Sequence, residues 1–135
     1  YLMEGTYKIE IVSPEKIIFS DENIQQVILP SYEGEMGILK DHIPIISFLR
    51  PGIIKILKSS ENVDSFFVQD GIIEFYNNNL TVLSSKIINI KNLNKESIDQ
   101  LVIATEKILK NEKLSDNNRY LANHKINILQ SLNYN

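Results

Sequence analysis

The sequence predicts a mainly β chain with a helical end: a β-sandwich over residues 1–91, then an antiparallel two-helix hairpin over residues 92–135. Three observations carry this. From Thr6 to about Ile90 the apolar residues recur with period two or in short β-branched runs. Turn chemistry punctuates that stretch at spacings of roughly ten residues, the rhythm of a sandwich or flattened barrel of about eight to ten short strands. After Lys91 the apolar spacing changes to threes and fours, which is a helical period.

Taken in order, Tyr7, Ile9 and Ile11 alternate with Lys8 and Glu10, giving a strand one face for a core and one for water. Lys16 to Phe19 and Ile24 to Leu29 read as the next two strands, the second closed by Pro30, which has no N–H for a ladder. Pro51-Gly52 suits the central positions of a type II turn, so Ile53 to Leu57 should follow as a strand. Phe66 to Gln69, Asp70-Gly71 and Ile72 to Phe75 read as a two-residue hairpin with a type I′ turn. Asn77, Asn78 and Asn79 separate that strand from Leu80 to Leu83, because asparagine tolerates left-handed backbone. The expected result is a meander.

In the C-terminal stretch Ile98, Leu101, Val102, Thr105, Ile108 and Leu109 form one stripe, with Asn94 as N-cap and Glu96 in the first turn, where an acid favours the helix dipole. After a break around Asn111 to Leu114, Ser115 or Asp116 caps a second helix bearing Leu121, Ala122, Ile126, Leu129 and Leu132. So short a connection makes the helices antiparallel. Neither is long enough to be stable alone in water, so the pair must pack on the sandwich, on each other or on a partner. Residues 1–93 carry 8 basic and 12 acidic groups and residues 94–135 carry 6 and 5, so a near-neutral hairpin follows an acidic β region.

Composition removes several function classes. A chain of 135 residues can bury roughly two-thirds of its unfolded surface, which needs neither disulfide nor structural metal. With no cysteine there is no thiol catalysis, zinc–thiolate site or iron–sulfur cluster. The formal charge of −3 supplies no basic field, so no nucleic-acid partner is expected. The apolar run Ile43 to Leu49 is far below the roughly 20 residues of a membrane span. Tyr1 to Gly5 lack the basic start and apolar block of a secretory signal; Tyr1 and Leu2, ahead of Met3, are left out of the fold argument.

Catalytic equipment is also missing. The two histidines are His42 and His124; Asp41-His42 are sequence neighbours rather than a triad, and there is no Gly-x-Ser-x-Gly elbow. Glu33 and Glu35, two apart on an extended segment, share one face beside a turn and read as solvated acids. Gly34, Gly37, Gly52 and Gly71 are too scattered for a phosphate loop, and no metal-ligand spacing occurs. Tyr7, Phe19, Tyr32, Phe48, Phe66, Phe67 and Phe75 mostly take alternating strand positions and are expected in the core. No catalytic site, cofactor or metal is expected, and the chain should act by binding.

One segment is more specific. Pro30-Ser31-Tyr32-Glu33-Gly34-Glu35-Met36-Gly37-Ile38-Leu39-Lys40-Asp41-His42-Ile43-Pro44 closely resembles the P-x-x-E-G-E-x-G-I-L-x-x-H-x-P signature of the epsilon subunit of bacterial rotary ATP synthases, counterpart of the mitochondrial delta subunit. Val12-Ser13-Pro14-Glu15 with Phe19-Ser20 is similar to that family's opening strands, Leu49-Arg50-Pro51-Gly52 to its L-x-P-G turn, and Gly71-Ile72-Ile73-Glu74 to its G-G-x-x-E strand. Thr81-Val82-Leu83 resembles the end of its sandwich. The resemblance implies a non-catalytic central-stalk rotor subunit, peripheral on the cytoplasmic face of the bacterial membrane. It would couple the gamma subunit to the c-ring, and its hairpin would conditionally reach the alpha/beta catalytic head and inhibit ATP hydrolysis. The alternative reading is a free-standing β-sandwich adaptor with an unrelated partner.

Carried over by position, Glu35 and His42 match the acid and histidine of a turn-rich surface loop that faces the ring and gamma and are the expected rotor contacts; the alternative for His42 is an ordinary surface histidine. The family often has glycine where this chain has Asp41. Lys107, Lys110, Lys113, Arg119 and Lys125 are candidate hairpin contacts to acidic surfaces of the catalytic subunits. The nucleotide-binding version of the family carries I/L-D-x-x-R-A at the first helix. Here the stretch reads Leu93-Asn94-Lys95-Glu96-Ser97-Ile98, and the alternative Asp116-Asn117-Asn118-Arg119 ends in Tyr120 on the second helix. The isolated subunit is therefore not expected to bind ATP.

Overall fold

The computed structural model describes residues 4–132; Tyr1 and Leu2 lie outside them. Among the described residues the chain forms nine strands, β1 (Tyr7–Val12), β2 (Ile17–Ser31), β3 (Gly34–Leu39), β4 (Ile45–Leu49), β5 (Gly52–Lys58), β6 (Val63–Val68), β7 (Gly71–Tyr76), β8 (Asn79–Leu83) and β9 (Ile87–Asn89), then helices α1 (Lys95–Leu109) and α2 (Asp116–Ser131). They fall into two compact units, Tyr1–Asn89 and Ile90–Asn135.

The strands pair in the order β1-β8-β7-β4-β2-β5-β6-β9, with β3 on β2 and an additional β1–β2 pairing. This is not the expected meander. β1 runs parallel to β8, and β4 pairs with β7 across the intervening β5 and β6. The inward positions of the alternating strands are closed from solvent: Tyr7, Ile9 and Ile11 of β1, Ile54 and Ile56 of β5, and Leu80 and Val82 of β8 are all at most 1% exposed. Tyr7 and Phe75 meet edge to face with centroids 5.4 Å apart. Phe66 and Phe67 are also buried, but Tyr32 and Phe48, expected inside, are 52% and 59% exposed.

The two strands expected over residues 16–29 are one. The polar interruption is absorbed as an irregularity: Asp21 Oδ1 accepts from the backbone N–H of Asn23 at 2.8 Å, and register shifts flank Ile24 against both β1 and β5. β2 thereby passes from β1 to its later partners β5, β3 and β4 without ending. Pro30 lies inside it, and its carbonyl accepts from the Arg50 N–H at 3.0 Å.

Both Gly-containing turn expectations also fail. Gly52 opens β5 at an ordinary negative-φ position rather than in a type II turn. What requires glycine there is proximity, since a Cβ on Gly52 would sit 2.5 Å from Pro30 Cβ. At Asp70-Gly71 only Gly71 has positive φ, so a type I′ turn does not form. β6 pairs with β5 and β9 while β7 pairs with β4 and β8. The crossing is held by Ser84 Oγ donating to the Asp70 carbonyl at 2.6 Å and the Gln69 N–H donating to the Lys86 carbonyl at 3.0 Å. The type I′ hairpin occurs one turn later: Asn77 (φ 50°) and Asn78 (φ 59°) link Tyr76 to its partner Asn79, which already belongs to β8.

In the second unit α1 starts at Asn94, whose side-chain oxygen accepts from the Ser97 N–H at 2.8 Å, and α2 starts at Ser115, whose Oγ accepts from the Asn118 N–H at 3.1 Å. Ile98, Val102 and Thr105 of α1 and Ala122 and Leu129 of α2 are buried; Ile108, expected in the stripe, is 51% exposed. Arg119 of α2 donates to the carbonyls of Leu109 (2.9 Å) and Asn111 (3.2 Å), satisfying acceptors that the end of α1 leaves open.

Candidate functional site

The expected turn-rich loop around Glu35 is largely strand. Ser31 Oγ donates to the Gly34 carbonyl at 2.7 Å and closes the turn at Tyr32-Glu33, and β3 then runs antiparallel to β2 from the Ser31–Gly34 pair to the Gln26–Leu39 pair. β3 pairs with β2 alone, so it is an edge. Met36 packs against the core and Ile38 is buried within it, whereas Glu35, Gly37 and Leu39 alternate onto the exposed side. A buried hydrogen bond of 2.6 Å from Tyr7 Oη to the Ile38 carbonyl ties this edge to β1. Burial pushes the Tyr7 hydroxyl pKa up, partly offset by a backbone hydrogen bond with Val27.

β3 leads into the connection 40–44. The His42 N–H donates to the Leu39 carbonyl at 3.2 Å, which turns the chain, and Asp41 takes φ 65°. The Asp41 N–H donates to Asn78 Oδ1 at 2.7 Å, while Asn78 Nδ2 donates to Asp41 Oδ1 at 2.9 Å. The His42 ring lies edge-on to Phe75 with centroids 5.9 Å apart, and its Nδ1 is 2.7 Å from the Ile43 carbonyl. A carbonyl only accepts, so Nδ1 is the donor in this contact.

Glu35 and His42 therefore bracket β3, separated by roughly 13 Å of strand between Glu35 and Leu39 at about 3.3 Å per residue. That spacing prevents them from acting together on one small substrate and suits a broad contact. Between and beyond them Leu39 and Ile43 are 57% and 73% exposed. A second apolar surface was not singled out from the sequence. Phe48, Ile72 and Leu83 stand opposite one another across β4, β7 and β8, all exposed, with Ile46 and Tyr76 nearby on the same face. Its signal is the pair Ile46 and Phe48 within the apolar stretch Ile43 to Leu49, since they alternate with Ile45 and Leu49 and a strand apolar on both faces asks for cover on both.

Among the hairpin candidates, Lys107, Lys110 and Lys113 are exposed, Lys125 is half-buried, and Arg119 is engaged with the end of α1. Arg119 lies in the alternative nucleotide-motif stretch, and Asn94, in the aligned stretch of the first helix, is occupied as an N-cap. Among the described residues no three His, Asp or Glu side chains cluster as a metal site, and no helix is long and apolar enough to cross a membrane.

Residues 6–90 match the family model described as the beta-sandwich domain of the ATP synthase delta/epsilon chain. The chain belongs to that family. It is 53% identical over 131 residues to the ATP synthase epsilon chain of Pelagibacter ubique, covering 97% of this chain and 100% of that protein. The Bordetella avium epsilon chain is 38% identical over 109 residues, 81% of this chain and 77% of that one. Membership makes the chain a subunit of an enzyme complex and not itself a catalyst. In solved structures the same fold occurs in the Euglena gracilis mitochondrial ATP synthase determined with its c-ring (TM-score 0.73, 14% identity, 98% of this chain and 81% of that one). It occurs again in the Tetrahymena thermophila central stalk and c-ring (TM-score 0.64, 16% identity, 92% and 93%).

Proposed function

We propose that this epsilon-family chain is a central-stalk rotor subunit that couples gamma to the c-ring through β3 and the connection after it, with α1 and α2 restraining ATP hydrolysis. The observation that carries the coupling role is the exposed edge β3, which presents Glu35 and Leu39 on one side and hands over to His42 and Ile43. A carboxylate, an imidazole and two bare aliphatic side chains on a pinned strand form a binding surface with no use in catalysis, and they suit the polar loops of a ring. The row Phe48, Ile72 and Leu83 offers gamma an apolar seat. The subunit sits at the cytoplasmic face of the membrane, held there by the complex.

The hairpin role rests on its being a separate compact unit with modest helices. Its contact with the catalytic head would use the exposed Lys107, Lys110 and Lys113, with Arg119 and Lys125 joining once the helices part. ATP binding to the isolated subunit is not expected, because no acid–arginine pair occupies the start of α1.

The coupling role is tested by replacing Glu35 and His42 with alanine and measuring ATP-driven proton pumping per ATP hydrolysed in reconstituted membranes. The ratio should fall while the subunit stays folded and assembled. An unchanged ratio removes the β3 surface from the rotor contact.

A further inference from the structure

We propose that Asn78, on the β7–β8 turn, is a positioning residue that presents His42 by clasping Asp41. The proposal rests on the reading that the connection after β3 contacts the rotor.

Asp41 has φ 65°, a region that non-glycine residues enter rarely and mostly as Asn or Asp. The signature that this segment resembles often has glycine there, and glycine holds such a φ unaided. Asp41 is held instead by a reciprocal pair of hydrogen bonds with Asn78, one to its N–H (2.7 Å) and one to its carboxylate (2.9 Å), across 37 positions of sequence.

Asn78 is itself fixed. It occupies the second place of a two-residue turn at φ 59°, and its carbonyl accepts from the Lys8 N–H of β1 at 3.2 Å. Phe75, whose ring stands perpendicular to that of His42, belongs to the same β7–β8 hairpin. One hairpin thus supplies both anchors of His42, its preceding backbone and its ring. The clasp is exposed, so its loss should free the connection 40–44 without unfolding the sandwich.

The test compares Asn78→Gly, which keeps the turn geometry and removes the clasp, with the exchanged pair Asp41→Asn plus Asn78→Asp, which keeps the bond from the N–H of position 41, reverses the donor and acceptor of the side-chain bond, and moves the carboxylate to the turn. In the isolated chain, amide hydrogen exchange at Asp41 and His42, whose N–H groups donate to Asn78 Oδ1 and the Leu39 carbonyl, should quicken about tenfold in Asn78→Gly at an unchanged denaturation midpoint and return in the exchanged pair. In the assembled complex, pumping per ATP should fall and recover in the same order. Unchanged exchange in Asn78→Gly, or no recovery in the exchanged pair, overturns the clasp. Faster exchange with undiminished pumping, where His42→Ala alone lowers pumping, overturns the positioning role. If His42→Ala also leaves pumping intact, the rotor-contact reading falls and takes the role of Asn78 with it.

Discussion

Tyr7 and Ile38, 31 positions apart, are joined by a buried 2.6 Å hydrogen bond from the phenol hydroxyl to the backbone carbonyl. It is the internal attachment of an edge strand whose other side is bare. Replacing Tyr7 with phenylalanine leaves that carbonyl buried without its donor, which costs about 1–3 kcal/mol. Urea unfolding should show the loss, and exchange at the β3 amides should quicken. An unchanged midpoint would mean that the carbonyl finds another partner.

The same tyrosine makes stability fall at high pH. Burial raises its folded pKa, so above the ordinary tyrosine value of about 10 the unfolded chain releases a proton that the folded chain keeps. The contribution is complete below about pH 10 and is lost as pH rises toward the folded value. Denaturation midpoints from pH 9 to about 12 should decline less steeply in Tyr7→Phe than in the parent, and parallel declines would contradict this.

Gly52 is required by contact. An alanine Cβ would meet Pro30 Cβ at 2.5 Å and Cγ at 2.9 Å, so Gly52→Ala should destabilise by about 1–3 kcal/mol. Pro30→Ala in the same chain keeps the closer atom and should not rescue it, whereas Pro30→Gly should recover part. Calorimetric melting of the three variants decides.

Arg119 closes the hairpin from within through the carbonyls of Leu109 and Asn111. Arg119→Met should quicken amide exchange over the end of α1 and the connection 110–115, with a loss of about 1 kcal/mol, because the site is only partly buried. Arg119→Lys should not restore it, since one ammonium cannot reproduce the guanidinium fork. Recovery with lysine would make the interaction a matter of charge alone.

What the sequence made legible is local. Period two in Tyr7 to Ile11, the asparagine turn and the caps Asn94 and Ser115 each depend on neighbours a few residues away. What it concealed is partner choice. Asp70-Gly71 has hairpin chemistry, yet β7 buries Ile73 and Phe75 while pairing with β4 and β8. Glu35 and His42 are candidates by motif alone. The clasp leaves no local mark, because nothing about Asn78 announces a partner 37 residues away.

In the proposed function a sandwich joins the rotor and a hairpin restrains it. The most direct test is a chain cut after Leu93, which retains all nine strands, assembled into the synthase with hydrolysis measured across a range of proton-motive force. The account predicts normal assembly, intact coupling, and ATP hydrolysis that is faster or less dependent on the force. Assembly with hydrolysis unchanged at every force would contradict the restraint, and failure to join gamma and the ring would contradict the role given to the sandwich.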